Sequence, residues 1–273
     1  MSQATKHRTW RVGTSGYSYS EWTEAGFYPA GTPSGRMLPV YAEKFSITEL
    51  NYTWYQMPRS EAVERQRQTV PPDFLFAVKL TRTMTHEIDA KWPKQVDLFR
   101  EGVSPLVQGR QLAAVLIQFP PGFTRTPDNR RHLAALADGL AGLPLAVEFR
   151  HRSWAVEPVF AELQRRNMTL VTVDLPDLPG LFPPLTVVTN PDLAYVRFHG
   201  RNAGSWRTGN MQLQFDYDYA EDELGRWVEE RFTPIRRQAR NGIIFFNNHV
   251  RAQAPKNALA LIGLLKKGAA GIG

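Results

Sequence analysis

The chain has 273 residues, 33 Lys and Arg against 26 Asp and Glu, a formal charge of +7, 42% hydrophobic residues and no cysteine. The missing cysteine excludes disulfides, thiolate metal sites and a cysteine nucleophile, and the apolar content is that of a chain with a full core. Met1 to Arg11 is polar, without the apolar stretch of a signal peptide, and no segment approaches the roughly 18 apolar residues of a membrane span, so the expectation is a cytoplasmic protein with no membrane contact.

Taken in order, the first apolar runs read as strands over Arg11–Thr14 and Ile47–Asn51. A helix-period stretch, Ser60–Val70, leads to a third strand over Leu75–Lys79 and a fourth over Ala114–Phe119. Thr126 then stands as an N-cap before Pro127–Leu140, with proline in the first turn. A fifth strand over Leu145–Phe149 is followed by an amphipathic helix over Ser153–Arg166, with Val156, Val159, Phe160 and Leu163 on one face. The sixth strand, Leu170–Val173, precedes Leu175–Pro191, which holds Pro176, Pro179, Pro183, Pro184 and Pro191. An interior proline costs a helix about 3 kcal/mol, so this connection is expected to be extended. Strands over Ala194–Phe198 and Ile243–Phe246 alternate with helices over Ala220–Arg237 and Ala254–Lys267. Strands alternating with helices imply a parallel sheet, and eight such units imply a single (β/α)8 barrel of TIM type over residues 1–273, core about 10–265, slightly irregular between strands six and seven.

Barrels of this type place their chemistry at strand C-termini. Those places hold Gly13-Thr14-Ser15-Gly16; Glu49, Asn51 and Tyr55; Lys79 and His86; Gln118; Glu148, Arg150 and His151; Asp174; Arg197, His199 and Arg201; and Asn247, Asn248 and His249. Four of the six histidines fall here, with His7 and His132 elsewhere. Residues two apart on a strand share a face, which pairs Glu49 with Asn51, Glu148 with Arg150 and Arg197 with His199. A charge inside a barrel must be paired, so Glu148 and Arg197 are expected in one hydrogen-bonded network; the plainer reading is a structural ion pair. Tyr17, Tyr19, Trp22, Trp54, Tyr55, Trp154, Trp206, Tyr217 and Tyr219 crowd the same end, either as a stacking rim or as packing that ties loops down. The basic excess is spread along the chain, and its densest runs are only pairs and triplets, so a solvated basic surface is the plainer reading and a polyanionic partner the sharper one. No nucleotide-binding, zinc-protease or serine-hydrolase signature is present.

The series Gly13-Thr14-Ser15-Gly16-Tyr17-Ser18-Tyr19, Trp22, Phe27-Tyr28-Pro29, Glu49-Leu50-Asn51 and Tyr55 is followed by Phe76-Ala77-Val78-Lys79 and Gln118-Phe119-Pro120-Pro121. Glu148-Phe149-Arg150-His151, Trp154, Val196-Arg197-Phe198-His199-Gly200, Phe215-Asp216-Tyr217 and Phe246-Asn247-Asn248 complete it. In this order they resemble the YecE-like family, domain of unknown function 72, from about Trp10 to Leu265. The resemblance implies a barrel and no established activity. Tyr17 stands where the family often has Trp, and His249-Val250-Arg251 is more basic than usual there.

Three readings stay open. One is a metal-dependent nuclease or phosphodiesterase, with Glu148, Asp174, His199 and His249, helped by Glu49, holding Zn or Mn. Its phosphate-containing substrate, DNA or RNA included, would meet Lys79, Arg150, Arg197 and Arg201, with Asn51, Tyr55, Gln118, Trp154, Asn247 and Asn248 lining the cleft. Another is a metal-free isomerase or lyase on a small phosphorylated or sugar-like substrate, with Glu148 or Glu49 as base, His199 as acid, and Arg197 and Lys79 on the oxyanion. The third is a nucleic-acid-binding protein without catalysis.

Overall fold

Each of the eight apolar runs forms a parallel strand in the computed structural model of the chain, which describes residues 9–270; His7 lies outside them. The strands are β1 (Trp10–Thr14), β2 (Ile47–Leu50), β3 (Leu75–Lys79), β4 (Leu112–Gln118), β5 (Leu145–Glu148), β6 (Thr169–Asp174), β7 (Leu193–Phe198) and β8 (Asn241–Phe246). They differ from the expected runs by at most two residues at either end. Their hydrogen-bonded order is β1-β8-β7-β6-β5-β4-β3-β2, a nearly closed barrel of TIM type.

The ring closes between β1 and β2 through one parallel bridge, Ser15 to Glu49, with Gly16 N donating to Glu49 O at 2.8 Å. The rest of this seam is filled by Tyr41. Its hydroxyl accepts from Thr14 N at 2.8 Å and donates to Ile47 O at 3.1 Å. Gly13 permits the close approach, because a Cβ there would stand 2.2 Å from Ile47 O.

Helices Ser60–Gln68, Pro127–Gly139 and Gln253–Ala270 occupy the expected places. Thr126 caps the second of them, its side chain accepting from Asn129 N at 3.2 Å. Two further helices, Ser34–Ala42 and Trp92–Gln108, were hidden by prolines. Pro39 lies inside the first and Pro105 inside the second. Buried Val96, Phe99, Val103 and Leu106 hold the second helix to the barrel and offset the backbone bond that Pro105 removes. The helix expected from Ser153 starts only at Glu157, with Pro158 in its first turn, because Arg152–Trp154 form a separate 3-10 turn. The stretch expected as one helix over Ala220–Arg237 is divided into Glu221–Trp227, a π-helical turn Val228–Phe232, and Thr233–Gln238. Pro234 has no amide to continue the ladder there.

The Pro-rich connection is extended, as its prolines require. It stays ordered by returning along β6: Leu170 N donates to Thr189 Oγ1 at 2.8 Å, and that hydroxyl donates to Met168 O at 2.7 Å. Among the described residues no helix is long and apolar enough to cross a membrane.

Candidate functional site

The strand register decides which side chains enter the barrel. Val173 stands beside Arg197, and Arg197 beside Phe245 and, through β1, Gly13. On the other side Glu49 stands beside Ala77, and Gln118 beside Glu148. Alternation then sends Glu49, Lys79, Glu148, Arg197 and His199 inward at the C-terminal end of the strands.

There they form one buried network. Arg197 Nη1 donates to Glu148 Oε2 at 2.6 Å and Nη2 donates to Glu49 Oε1 at 2.6 Å. The second oxygen of Glu49 accepts from the Tyr195 hydroxyl at 2.5 Å, and the second oxygen of Glu148 accepts from Arg150 Nε at 2.5 Å. Glu49, Glu148 and His199 are 0% exposed and Arg197 1%, so this pairing is a condition of their burial. Burial pushes the Glu148 carboxyl up, but Arg150 and Arg197 outweigh it and hold the group well below the usual carboxylate range. His199 Nε2 lies 3.2 Å from Glu148 Oε1, and its Nδ1 lies 3.1 Å from Asn247 Nδ2. Arg150 Nη2 and Arg197 Nη1 also lie 3.3 and 3.4 Å from Nε2, so that nitrogen faces one carboxylate and two guanidiniums. Burial first, then Arg150, pushes its pKa down to about 3.

Lys79 is different. It ends β3, is half-buried, and its ammonium has neither hydrogen bond nor ion pair among the described residues. Its Nζ stands 5.1 Å from the centroid of the Trp54 ring. The two carboxylates are matched by two guanidiniums, so a charge on Lys79 would be the unbalanced fifth. Burial first, then Arg197, pushes its pKa down to about 7. Arg150, 8% exposed, stands at the same barrel mouth with its guanidinium 5.9 Å from the Trp206 ring. Its Nη1 takes no part in the bonds to Glu148 and His199.

Other expected residues are held apart. Asp174 pairs in register with Phe198, not with Arg197, so it points outward from the barrel interior. There it accepts from Arg201 at 2.8 and 2.7 Å and from the Tyr219 hydroxyl at 2.7 Å. His249 stacks on Tyr19 with centroids 4.8 Å apart and contacts Glu21 at 3.3 Å. Asn248 donates to Tyr217 O and Asn257 Oδ1, both at 2.7 Å, and so ties loops together. Trp154 is 2% exposed, stacked on Phe149 at 4.5 Å and donating to Phe123 O at 2.7 Å. Gln118 turns back to Phe119 O at 2.6 Å, and Asn51 keeps a buried Oδ1 without a partner. Of the aromatic rim, Trp22, Trp154, Trp206 and Tyr219 are buried, whereas Tyr55 is 57% exposed.

The proposed metal ligands therefore need correction. Glu148, Asp174, His199 and His249 do not converge, and among the described residues no three His, Cys, Asp or Glu side chains gather to hold a metal ion. Both oxygens of Glu148 and both of Asp174 already accept from arginines. Cations at that distance oppose a further cation, so the site does not fit Zn or Mn.

Tyr195 belongs to the site and was missed, whereas Ser15 and Trp206 were read only as part of a strand end and of the aromatic rim. Tyr195 sits within an apolar strand run, where only inward parity with Arg197 signals its role. Ser15 Oγ accepts from Arg197 Nη2 at 3.3 Å.

Comparison with known proteins agrees with the barrel fold. The family described as Protein of unknown function DUF72 matches residues 11–272. The chain belongs to the DUF72 family. A DUF72 family protein from Thermotoga maritima superposes with a TM-score of 0.86 at 34% identity, covering 94% of this chain and 99% of that one. A second DUF72 structure, from Enterococcus faecalis, gives a TM-score of 0.83 at 26% identity, with 94% and 96% covered. The UPF0759 protein YunF of Bacillus subtilis is 27% identical over 87% of this chain and 89% of its own length. The UPF0759 protein YecE of Escherichia coli is 29% identical over 51% of this chain and 48% of its own. The DUF72 relatives bring a shared barrel and no named reaction.

Proposed function

We propose that the barrel mouth binds a small anionic substrate, phosphorylated or sugar-like, and acts on it without a metal as an isomerase or lyase. Arg150 supplies the counter-charge, and Lys79 is the group that gains and loses a proton. The observation that carries this reading is the contrast between Lys79, half-buried and unpartnered, and the Glu49–Arg197–Glu148–Arg150 chain beside it, whose carboxylates are all engaged. Glu148, with both oxygens on guanidiniums, is a weak base, and each oxygen of Glu49 already accepts a hydrogen bond, one from Arg197 and one from Tyr195. A neutral His199, enclosed by Arg150, Arg197 and Glu148, is a poor acid. An amine poised near neutrality suits general acid–base work better than either.

The test follows solvent exchange. The protein is incubated in heavy water with a panel of small phosphorylated sugars and sugar acids, and deuterium incorporation is followed by NMR. The expected result is exchange at carbon on at least one compound, lost in a folded Lys79→Met variant. Failure of the folded wild type to exchange any compound, together with no calorimetric binding of inorganic phosphate between about pH 6 and pH 9, would refute it.

A further inference from the structure

A base needs orienting, and among the described residues nothing orients the Lys79 amine by hydrogen bond or ion pair. The remaining described lysines are engaged or exposed: Lys256 Nζ contacts Asp218 at 2.6 Å, and Lys44, Lys91, Lys94, Lys266 and Lys267 are exposed. Lys79 is set at a strand C-terminus inside a barrel, with its lone pair free and a tryptophan face beside it. Around it, Glu49 and Glu148 have no spare oxygen. A site with no free carboxylate base lowers a barrier at carbon most directly by converting the substrate's own carbonyl into an electron sink.

Resting on the reading above, we infer that Lys79 forms an iminium: the cleft takes a small aldehyde or ketone that carries an anionic group, the amine joins its carbonyl carbon, and Arg150 Nη1 pairs with the anion. The neutral amine's lone pair forms the N–C bond as the C=O π pair moves to oxygen. A proton passes from nitrogen to that oxygen, giving a carbinolamine. A second proton, from solvent, lets the oxygen leave as water while the nitrogen lone pair closes the C=N bond. One amine, one carbonyl and one proton thus give one iminium and one water, with no oxidant or reductant. The product is cationic at nitrogen, and the Trp54 face and the substrate's anion balance the charge that the protein itself leaves uncompensated. The amine's pKa near 7 keeps the lone pair available under ordinary conditions.

The experiment is reductive trapping. Wild type is incubated with pyruvate, or with dihydroxyacetone phosphate, and sodium cyanoborohydride, whose hydride reduces the iminium to a stable secondary amine. Intact mass and peptide mapping then locate the adduct. The expected result is one adduct per chain at Lys79 with at least one probe, absent in Lys79→Met and Lys79→Arg, and suppressed by inorganic phosphate. Mapping on the wild type needs no variant to fold. Label spread over Lys91, Lys94 and Lys256 according to exposure, or none at Lys79, overturns the inference. If phosphate binds in calorimetry but nothing is trapped, the iminium falls and the metal-free acid–base reading stands. If phosphate neither binds nor protects and no adduct forms, both fall.

Discussion

Replacing Lys79 with methionine removes the unpaired amine but keeps a flexible side chain against Trp54. The displacement of its pKa from 10.5 to about 7, at ~1.4 kcal/mol for each pH unit, corresponds to about 5 kcal/mol. Solvent reaching the half-buried group screens part of this, leaving ~3 kcal/mol as the working magnitude. Its sign is unfavourable to the wild type. Below about pH 7 the amine is charged in both states, and the full cost of holding it in the cleft is present. Between about 7 and 10.5 the unfolded chain binds the proton and the folded one does not, so wild-type stability rises with pH through that window. Lys79→Met should therefore be more stable than wild type at pH 6, by ~3 kcal/mol or on the order of 6–12 °C in Tm at this chain length, and the gain should vanish near pH 10.5. Urea unfolding of both proteins across that range measures it. A variant less stable than wild type at pH 6, or a difference that does not change with pH, would show that Lys79 is not an uncompensated cation.

The other predictions concern the surroundings of that amine. Glu148→Gln leaves Arg150 and Arg197 buried beside half their counter-charge and should cost ~3–5 kcal/mol in chemical denaturation. Asp174→Asn loosens Arg201 and Tyr219 and should cost ~1–3 kcal/mol, while calorimetric phosphate binding and Lys79 trapping stay at wild-type levels, because Asp174 faces away from the cleft. Gly13→Ala should lower stability by at least ~2 kcal/mol, since its methyl meets the Ile47 carbonyl. At His199 the unfolded chain takes up a proton near pH 6.5 and the folded protein only near 3. Stability therefore falls as pH drops through that window, and His199→Asn should make the acid limb shallower by up to about 1.4 kcal/mol per pH unit.

The eight strands were legible because buried parallel strands leave unbroken apolar runs. The pairing of Glu148 with Arg197 was legible because charges of fixed parity inside a barrel must find each other. Asp174 shows where that reasoning stopped. Its face is set by the register between β6 and β7, which places Val173, not Asp174, beside Arg197, and no feature of the strand's own sequence records that offset. Metal binding looked plausible while Glu148 and His199 were counted as free ligands. Arg150 and Arg197 were visible in the sequence, but that they take both oxygens of the same carboxylate is a matter of distance. The rim aromatics divide in the same way: Trp154 and Tyr55 look alike in sequence, and only packing shows that one is interior and the other exposed.

Glu49 belongs to two structures at once. Its backbone carbonyl receives Gly16 N at the β1–β2 seam, and its side chain holds Arg197. The joint where the ring has the fewest strand-to-strand bonds is thus clasped by the residue that neutralises the buried guanidinium. An anion that draws Arg197 toward the mouth would slacken the clasp, and spreading of β1 from β2 would strip Arg197 of one of its two carboxylates. Were an anion held by Arg150 to reach Arg197 as well, occupancy of the mouth and closure of the ring would be coupled reciprocally, and faster deuterium uptake at the Gly16 amide on phosphate binding is the result that would show it.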